Sequence, residues 1–206
     1  MSQPDIFDLE TWLEYKQTAM MLLEEALGLL RGNTRNQGRR QEVPLNRALW
    51  FCFMRAAHSG GYRFRHHLPV PEGCNPPHAS DEERARREDK RPDFYWQFMD
   101  HLADDVSCCD RRFVLECKRL GSPSRRTWVL NENYINNGVS RFITQEHGYG
   151  KGDEAGGMIG YVQDMDFNDI LREVNTLTRA FPGQSYELQH FWVDLRSAST
   201  RVGRHP

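Results

Sequence analysis

Arg112-Phe-Val-Leu-Glu-Cys-Lys-Arg-Leu120 is the stretch on which the reading of this chain turns. An apolar run of β-forming residues ends in a carboxylate, Glu116, and an ammonium, Lys118, two positions apart, and the period of a strand sends both to the same side. Upstream stands Pro92-Asp93. If Asp93 is delivered to the same place, two carboxylates can hold a divalent ion while Lys118 faces a substrate or an attacking water. The bland alternative is equally physical: Glu-x-Lys on a strand is commonly a solvent-facing charged pair, and an Asp after Pro often only starts a turn.

Working outward, Asp93 to Phe98 is aromatic-rich and reads as the preceding strand, and Asp100 to Asp110 is a polar connection. Before it, Tyr62-Arg-Phe-Arg-His66 alternates as a strand does, and residues 69 to 91 are proline-rich and then charged, a solvated loop. A helix runs from near Pro44, suited to a first turn, to the Gly60-Gly61 stop. Ahead of it, apolar residues three and four apart from Leu9 to Leu30 mark an amphipathic helix over 8–30, a lid on the core or a subunit interface. After Lys118 the pattern gives a helix over Glu132 to Thr144, a short strand Met158 to Val162, a helix Phe167 to Ala180 and a strand Leu188 to Leu195. Residues 196–206 read as a frayed tail. The expectation is one domain over 1–206: an α/β fold with a central mixed sheet flanked by helices, its core over about 42–162 and an addition over 163–195.

With 27 basic against 29 acidic residues, the net charge of -2 demands no nucleic-acid partner, yet a local cleft can be basic on a neutral protein. That balance lowers the expectation of stand-alone duplex binding and raises that of dependence on a partner. No membrane span or signal peptide is visible, so a cytoplasmic location is expected. Five cysteines without a repeated spacing argue against a disulfide framework. A zinc site from Cys74, His78, Cys108 and Cys109 is the weaker metal reading, because adjacent cysteines make poor tetrahedral partners.

The order helix, three strands, helix, strand, with Asp93 entering the second strand and Glu116-Cys117-Lys118 ending the third, resembles the PD-(D/E)xK nuclease superfamily. The likeness covers the restriction-endonuclease-like α-β-β-β-α-β core and is nearest to small bacterial restriction or phage-defence nucleases. It implies an endonuclease hydrolysing phosphodiester bonds, with DNA the majority choice of the superfamily. It also implies Mg2+, replaceable by Mn2+, on Asp93, Glu116 and the backbone carbonyl of Cys117, with Lys118 orienting the nucleophilic water. The same resemblance suggests catalytic roles for Glu42, near the start of the first core helix, and for Gln163, just past the fourth strand. Lys118 suits positioning better than proton abstraction, since two adjacent carboxylates oppose the fall in pKa that a base requires.

Arg119, Arg125, Arg126 and Arg141 are the candidate phosphate contacts, the first three at the end of the catalytic strand and the last on the following helix. Trp128, Tyr134, Tyr149 and Tyr161 could stack on a base, although aromatic residues at such positions are more often core. A homodimer would set two sites across a duplex, and a separate sensor or ATPase subunit would supply the recognition element this chain lacks. The competing expectation is a catalytically silent nucleic-acid-binding or scaffold subunit that keeps the fold.

Overall fold

A computed structural model describes residues 10–36, 41–73, 90–105, 109–144, 147, 149, 155–179, 187–196 and 203–205. The first helix, α1 (Trp12–Gly32), begins with a capping box in which Thr11 and Glu14 satisfy each other's backbone amides. Its apolar stripe, Leu22, Leu23, Leu27 and Leu30, is fully buried. α2 (Glu42–Gly60) packs beside it and stops where Gly61 takes a φ of 58°, a backbone conformation open to glycine without penalty. The stripe that could have served a subunit interface is therefore spent on the chain's own core.

The sheet has six strands in the order of the sequence: β1 (Val70–Pro71), β2 (Phe94–Met99), β3 (Asp110–Leu120), β4 (Ala155–Val162), β5 (Glu187–Asp194) and β6 (Gly203–His205). β1, β2 and β3 pair antiparallel, β3, β4 and β5 parallel, and β5 with β6 antiparallel. Parallel neighbours need crossovers. The first carries α3 (Leu130–Tyr134), a π-helical turn (Ile135–Val139) and α4 (Ser140–Ile143), and the second carries α5 (Phe167–Thr178). Two apolar clusters show that the helices divide between the faces. Phe113, Leu115, Cys117, Ile159 and Tyr161 pack with α1 and α2. Val114, Leu120, Met158 and Trp192 pack with Tyr134, Val139, Phe142 and Ile170 on the other side.

Two expectations are corrected. Tyr62 to His66 is not a strand: Gly61–Phe64 forms a 3-10 turn in which Phe64 alone is buried and Tyr62 is exposed. One inward side chain is satisfied by a tight turn as well as by a strand, and the first strand is instead the two-residue β1. Pro71 there lacks an amide hydrogen and so suits a sheet edge. The tail is the second correction, because residues 203–205 pair with β5 at His190 to Trp192. The charged loop lies mostly outside the described residues, as do Cys74, His78 and Cys108 of the zinc reading. Cys52, Cys109 and Cys117 are free thiols. Among the described residues no helix is long and apolar enough to cross a membrane.

Candidate functional site

The site is built where β2 begins and β3 ends. Phe94 lies opposite Leu115, so Asp93, one residue earlier, arrives opposite Glu116. β2 has not yet started there, and the Cys117 amide that would meet a strand backbone donates instead to Asp93 Oδ2 at 2.7 Å. Asn46 of α2 donates to Asp93 Oδ1 at 2.8 Å and accepts from the Tyr161 hydroxyl at 2.9 Å. The Asp93 backbone is fixed as well, its carbonyl accepting from Glu72 N. A proline before Asp93 and an asparagine one turn after Glu42 thus place one carboxylate with little freedom.

Glu116 and Lys118 are not a solvent-facing pair: they are 1% and 8% exposed. Lys118 Nζ donates to Glu116 Oε1 at 2.7 Å, Glu42 Oε1 at 2.9 Å and the Cys117 carbonyl at 2.9 Å. Arg141 reaches the same Glu116 Oε1 at 2.5 Å, and the buried Tyr149 lies against Arg141. Two cations therefore crowd one carboxylate oxygen. The other, Glu116 Oε2, is buried without a hydrogen-bond partner among the described residues. An unpaired buried carboxylate oxygen costs roughly 1–3 kcal/mol or more, which a cation in the site would recover.

The π-helical turn explains how Arg141 gets there. Such turns insert one residue into a helix and are frequent at functional sites. Here the turn brings Gly138 so close to the sheet that a Cβ would stand 2.5 Å from Met158 Cε and 3.1 Å from Lys118 Cγ. The helix consequently lies directly over Lys118, and Arg141, three residues on, meets Glu116.

Electrostatics follow from this crowding. Burial, then the charge of Glu116, pushes the Asp93 carboxyl well above its usual range, with Lys118 only partly compensating. Burial also raises Glu116, against the pull of Lys118 and Arg141. Burial alone would lower Lys118, but Glu116, Asp93 and Glu42 outweigh it and hold the ammonium above the ordinary lysine value. Lys118 is thus kept charged. The cluster is short of positive charge at its carboxylates rather than at its lysine.

The remaining expected residues divide. Glu42 joins the cluster, on Lys118 rather than on Asp93 or Glu116. The Cys117 side chain is buried on the α2 face, and its carbonyl is the group that turns to the site. Arg119 lines a cavity of about 310 Å³ together with Glu42, Lys118, Trp128, Asn133, Asn137 and Arg141. Arg125 and Arg126 sit exposed in a tight turn closed by a bridge from Arg125 to Trp128. Arg141 is paired with Glu116. Gln163 is placed away from the cluster: its amide bonds Leu120 O, it packs against Gly121, and its Nε2 is buried without a partner among the described residues. Asn46 was missed, although its place one helical turn after Glu42 is a signal that it shares that residue's face.

Two carboxylates and a carbonyl are hard oxygen donors of the kind magnesium takes, and Glu116 Oε2, without a hydrogen-bond partner among the described residues, is an acceptor that suits a cation. Among the described residues no three His, Cys, Asp or Glu side chains stand together as a metal cage. A carbonyl and water would have to complete the shell. No family model, no curated protein and no solved structure matches this chain.

Proposed function

We propose that the chain is a metal-dependent endonuclease of the PD-(D/E)xK kind, acting on DNA. The restriction-endonuclease-like core would be α2, β1 to β3, the α3 to α4 crossover and β4, with α1 ahead of it and α5 and β5 after it. The observation that carries the reading is Glu116: a buried carboxylate with one oxygen gripped by Lys118 and Arg141 and the other left without a partner, opposite Asp93.

In this reading Asp93, Glu116 and the Cys117 carbonyl would hold Mg2+, or Mn2+ in its place, which polarises a phosphoryl oxygen and lowers the pKa of bound water. The protein's own groups do the rest. Cys117 N–H and Asn46 fix the direction of Asp93. Arg141 neutralises half of Glu116 and keeps its free oxygen turned inward. Lys118, held charged, donates to the attacking water or to a non-bridging phosphate oxygen as negative charge develops there, a stabilisation worth roughly 10²–10³ in rate for one such donor. Glu42 would anchor Lys118 between turnovers. Arg119, Arg125 and Arg126 would follow the phosphate backbone. A homodimer, a sensor or ATPase partner, and a setting in restriction or phage defence are compatible with this chemistry.

One observation favours the silent-scaffold reading. Both Asp93 oxygens and three donor directions of Lys118 are already satisfied within the chain, as in an ion cluster that merely closes the sheet.

Cleavage of supercoiled plasmid, single-stranded DNA and RNA, with Mg2+, Mn2+ or EDTA, separates the two. The nuclease reading expects metal-dependent cleavage that Glu116→Gln and Lys118→Gln abolish while the circular dichroism is unchanged. Cleavage persisting in both variants sinks the site assignment, and no cleavage of any substrate favours the scaffold.

A further inference from the structure

Of the four aromatic residues near the site, Tyr134, Tyr149 and Tyr161 are fully buried, whereas Trp128 is 47% exposed. Its backbone is fixed in a turn, Ser124 N bonding Trp128 O at 3.1 Å and Trp128 N bonding Arg125 O at 2.9 Å, and the residue lines the cavity beside Lys118. On the helical wall stand Asn133 and Asn137, one turn apart and joined by Asn137 Nδ2 to Asn133 Oδ1 at 2.6 Å. Asn133 Nδ2 in turn donates to Val129 O at 2.8 Å. Each carboxamide has four hydrogen-bonding capacities and these bonds use only part of them, so polar edges remain for a guest. The cavity, about 310 Å³, is at the small end of the range for organic ligands, about 300–1,000 Å³.

The charges of the cavity select the kind of guest. Lys118 and Arg141 are both committed to Glu116, and Lys118 to Glu42 as well. A phosphate that entered as far as Lys118 would have to displace Glu42 from it, whereas Arg119 lines the same cavity and can meet the backbone of the strand that carries the guest. A neutral, flat ring with hydrogen-bonding edges breaks none of these pairs.

We propose that the cavity takes one unpaired nucleobase, stacked on Trp128 and held at its edge by Asn133 and Asn137. The strand presented to Lys118 is then single-stranded at that position. The nuclease reading supplies the reason for a strand to lie there; the chemistry of the pocket does not depend on catalysis, and the two fail separately.

The test is binding in EDTA, read by fluorescence anisotropy on the full chain. The probes are a short single-stranded oligothymidylate, an abasic sugar-phosphate oligomer of equal length and a blunt duplex. The intact single strand should bind roughly tenfold more tightly than the abasic oligomer. Trp128→Ala should erase that ratio and Trp128→Phe should keep most of it. Equal binding of intact and abasic oligomers, a ratio unchanged in Trp128→Ala, or no binding of any probe overturns the pocket. Base discrimination in a chain that cleaves nothing upholds the pocket and removes the nuclease; cleavage without base discrimination does the reverse.

Discussion

The two faces of β3 are built from alternate residues of one strand and obey different rules. Towards α1 and α2 go Phe113, Leu115 and Cys117, all fully buried in an aromatic and aliphatic core. Towards the π-helical turn go Val114 and Leu120, packed among apolar side chains, and between them Glu116 and Lys118, also out of water but held by charge. The first face is stabilised chiefly by packed apolar volume. The second carries a buried ion cluster, costly to assemble because each charge must be taken out of water. Burial alone does not distinguish the two sets of side chains; the kind of partner does.

The largest expected contrast is between neighbours on the strand. Glu116→Gln preserves shape and should lower any cleavage rate by roughly 10²–10⁴-fold, with a modest change in the urea midpoint. Leu115→Ala should do the opposite, costing about 2–5 kcal/mol in urea unfolding while the folded fraction keeps its specific activity. Equal activity losses in both variants would erase the distinction between the faces.

Next in size is a pH effect confined to the polar face. His190 of β5 accepts or donates at 2.6 Å with the Tyr134 hydroxyl, and burial lowers its pKa from 6.5 to about 4. The unfolded chain therefore takes up this proton before the folded one does. The stabilising contribution is complete above about pH 6.5, is lost as pH falls towards 4 and is constant below, for a total of roughly 3 kcal/mol at most. Urea unfolding from pH 7 to pH 4 should show the decline as the difference between the native chain and His190→Gln, because the raised Asp93 and Glu116 carboxyls contribute with the opposite sign in both. A Phe191→Leu variant, altered on the apolar face, should shift the whole curve without changing its slope.

Gly138→Ala should sharpen the comparison further. The added methyl meets the mobile end of Met158, which can move, and Lys118 Cγ at 3.1 Å, which has less room. Stability should fall by no more than about 1 kcal/mol, near the offset between helix propensity and overpacking. Cleavage should fall by more than that, because Lys118 is displaced. The smallest effect belongs to Arg125→Ala and Arg126→Ala, each expected to weaken DNA binding alike for all sequences and to reduce the salt slope by about one.

Much of this was legible in sequence because β3 combines an uninterrupted apolar run with a polar pair at its end. Pro92 likewise fixed where β2 could start and so where Asp93 would stand. Tyr62 to His66 misled because alternation over five residues is satisfied by a turn that buries only Phe64. The tie of Arg141 to Glu116 was not legible, because it depends on a π-helical turn that no periodicity announces. Gln163 follows the fourth strand as expected, yet the end of β4 turns it to Leu120 and Gly121 instead of Glu116. Long-range pairing, not local propensity, decided each of these.

The proposal that the Asp93 and Glu116 side of β3 takes a metal ion is tested most directly by anomalous diffraction from a crystal soaked in manganese. One peak within about 2.1–2.3 Å of Glu116 Oε2, an Asp93 oxygen and the Cys117 carbonyl, with Lys118 still on Glu116 Oε1, is the expected result. A map without a peak there, with Asp93 still bound to the Cys117 amide and Asn46, would contradict it and leave a buried ion cluster whose work is structural.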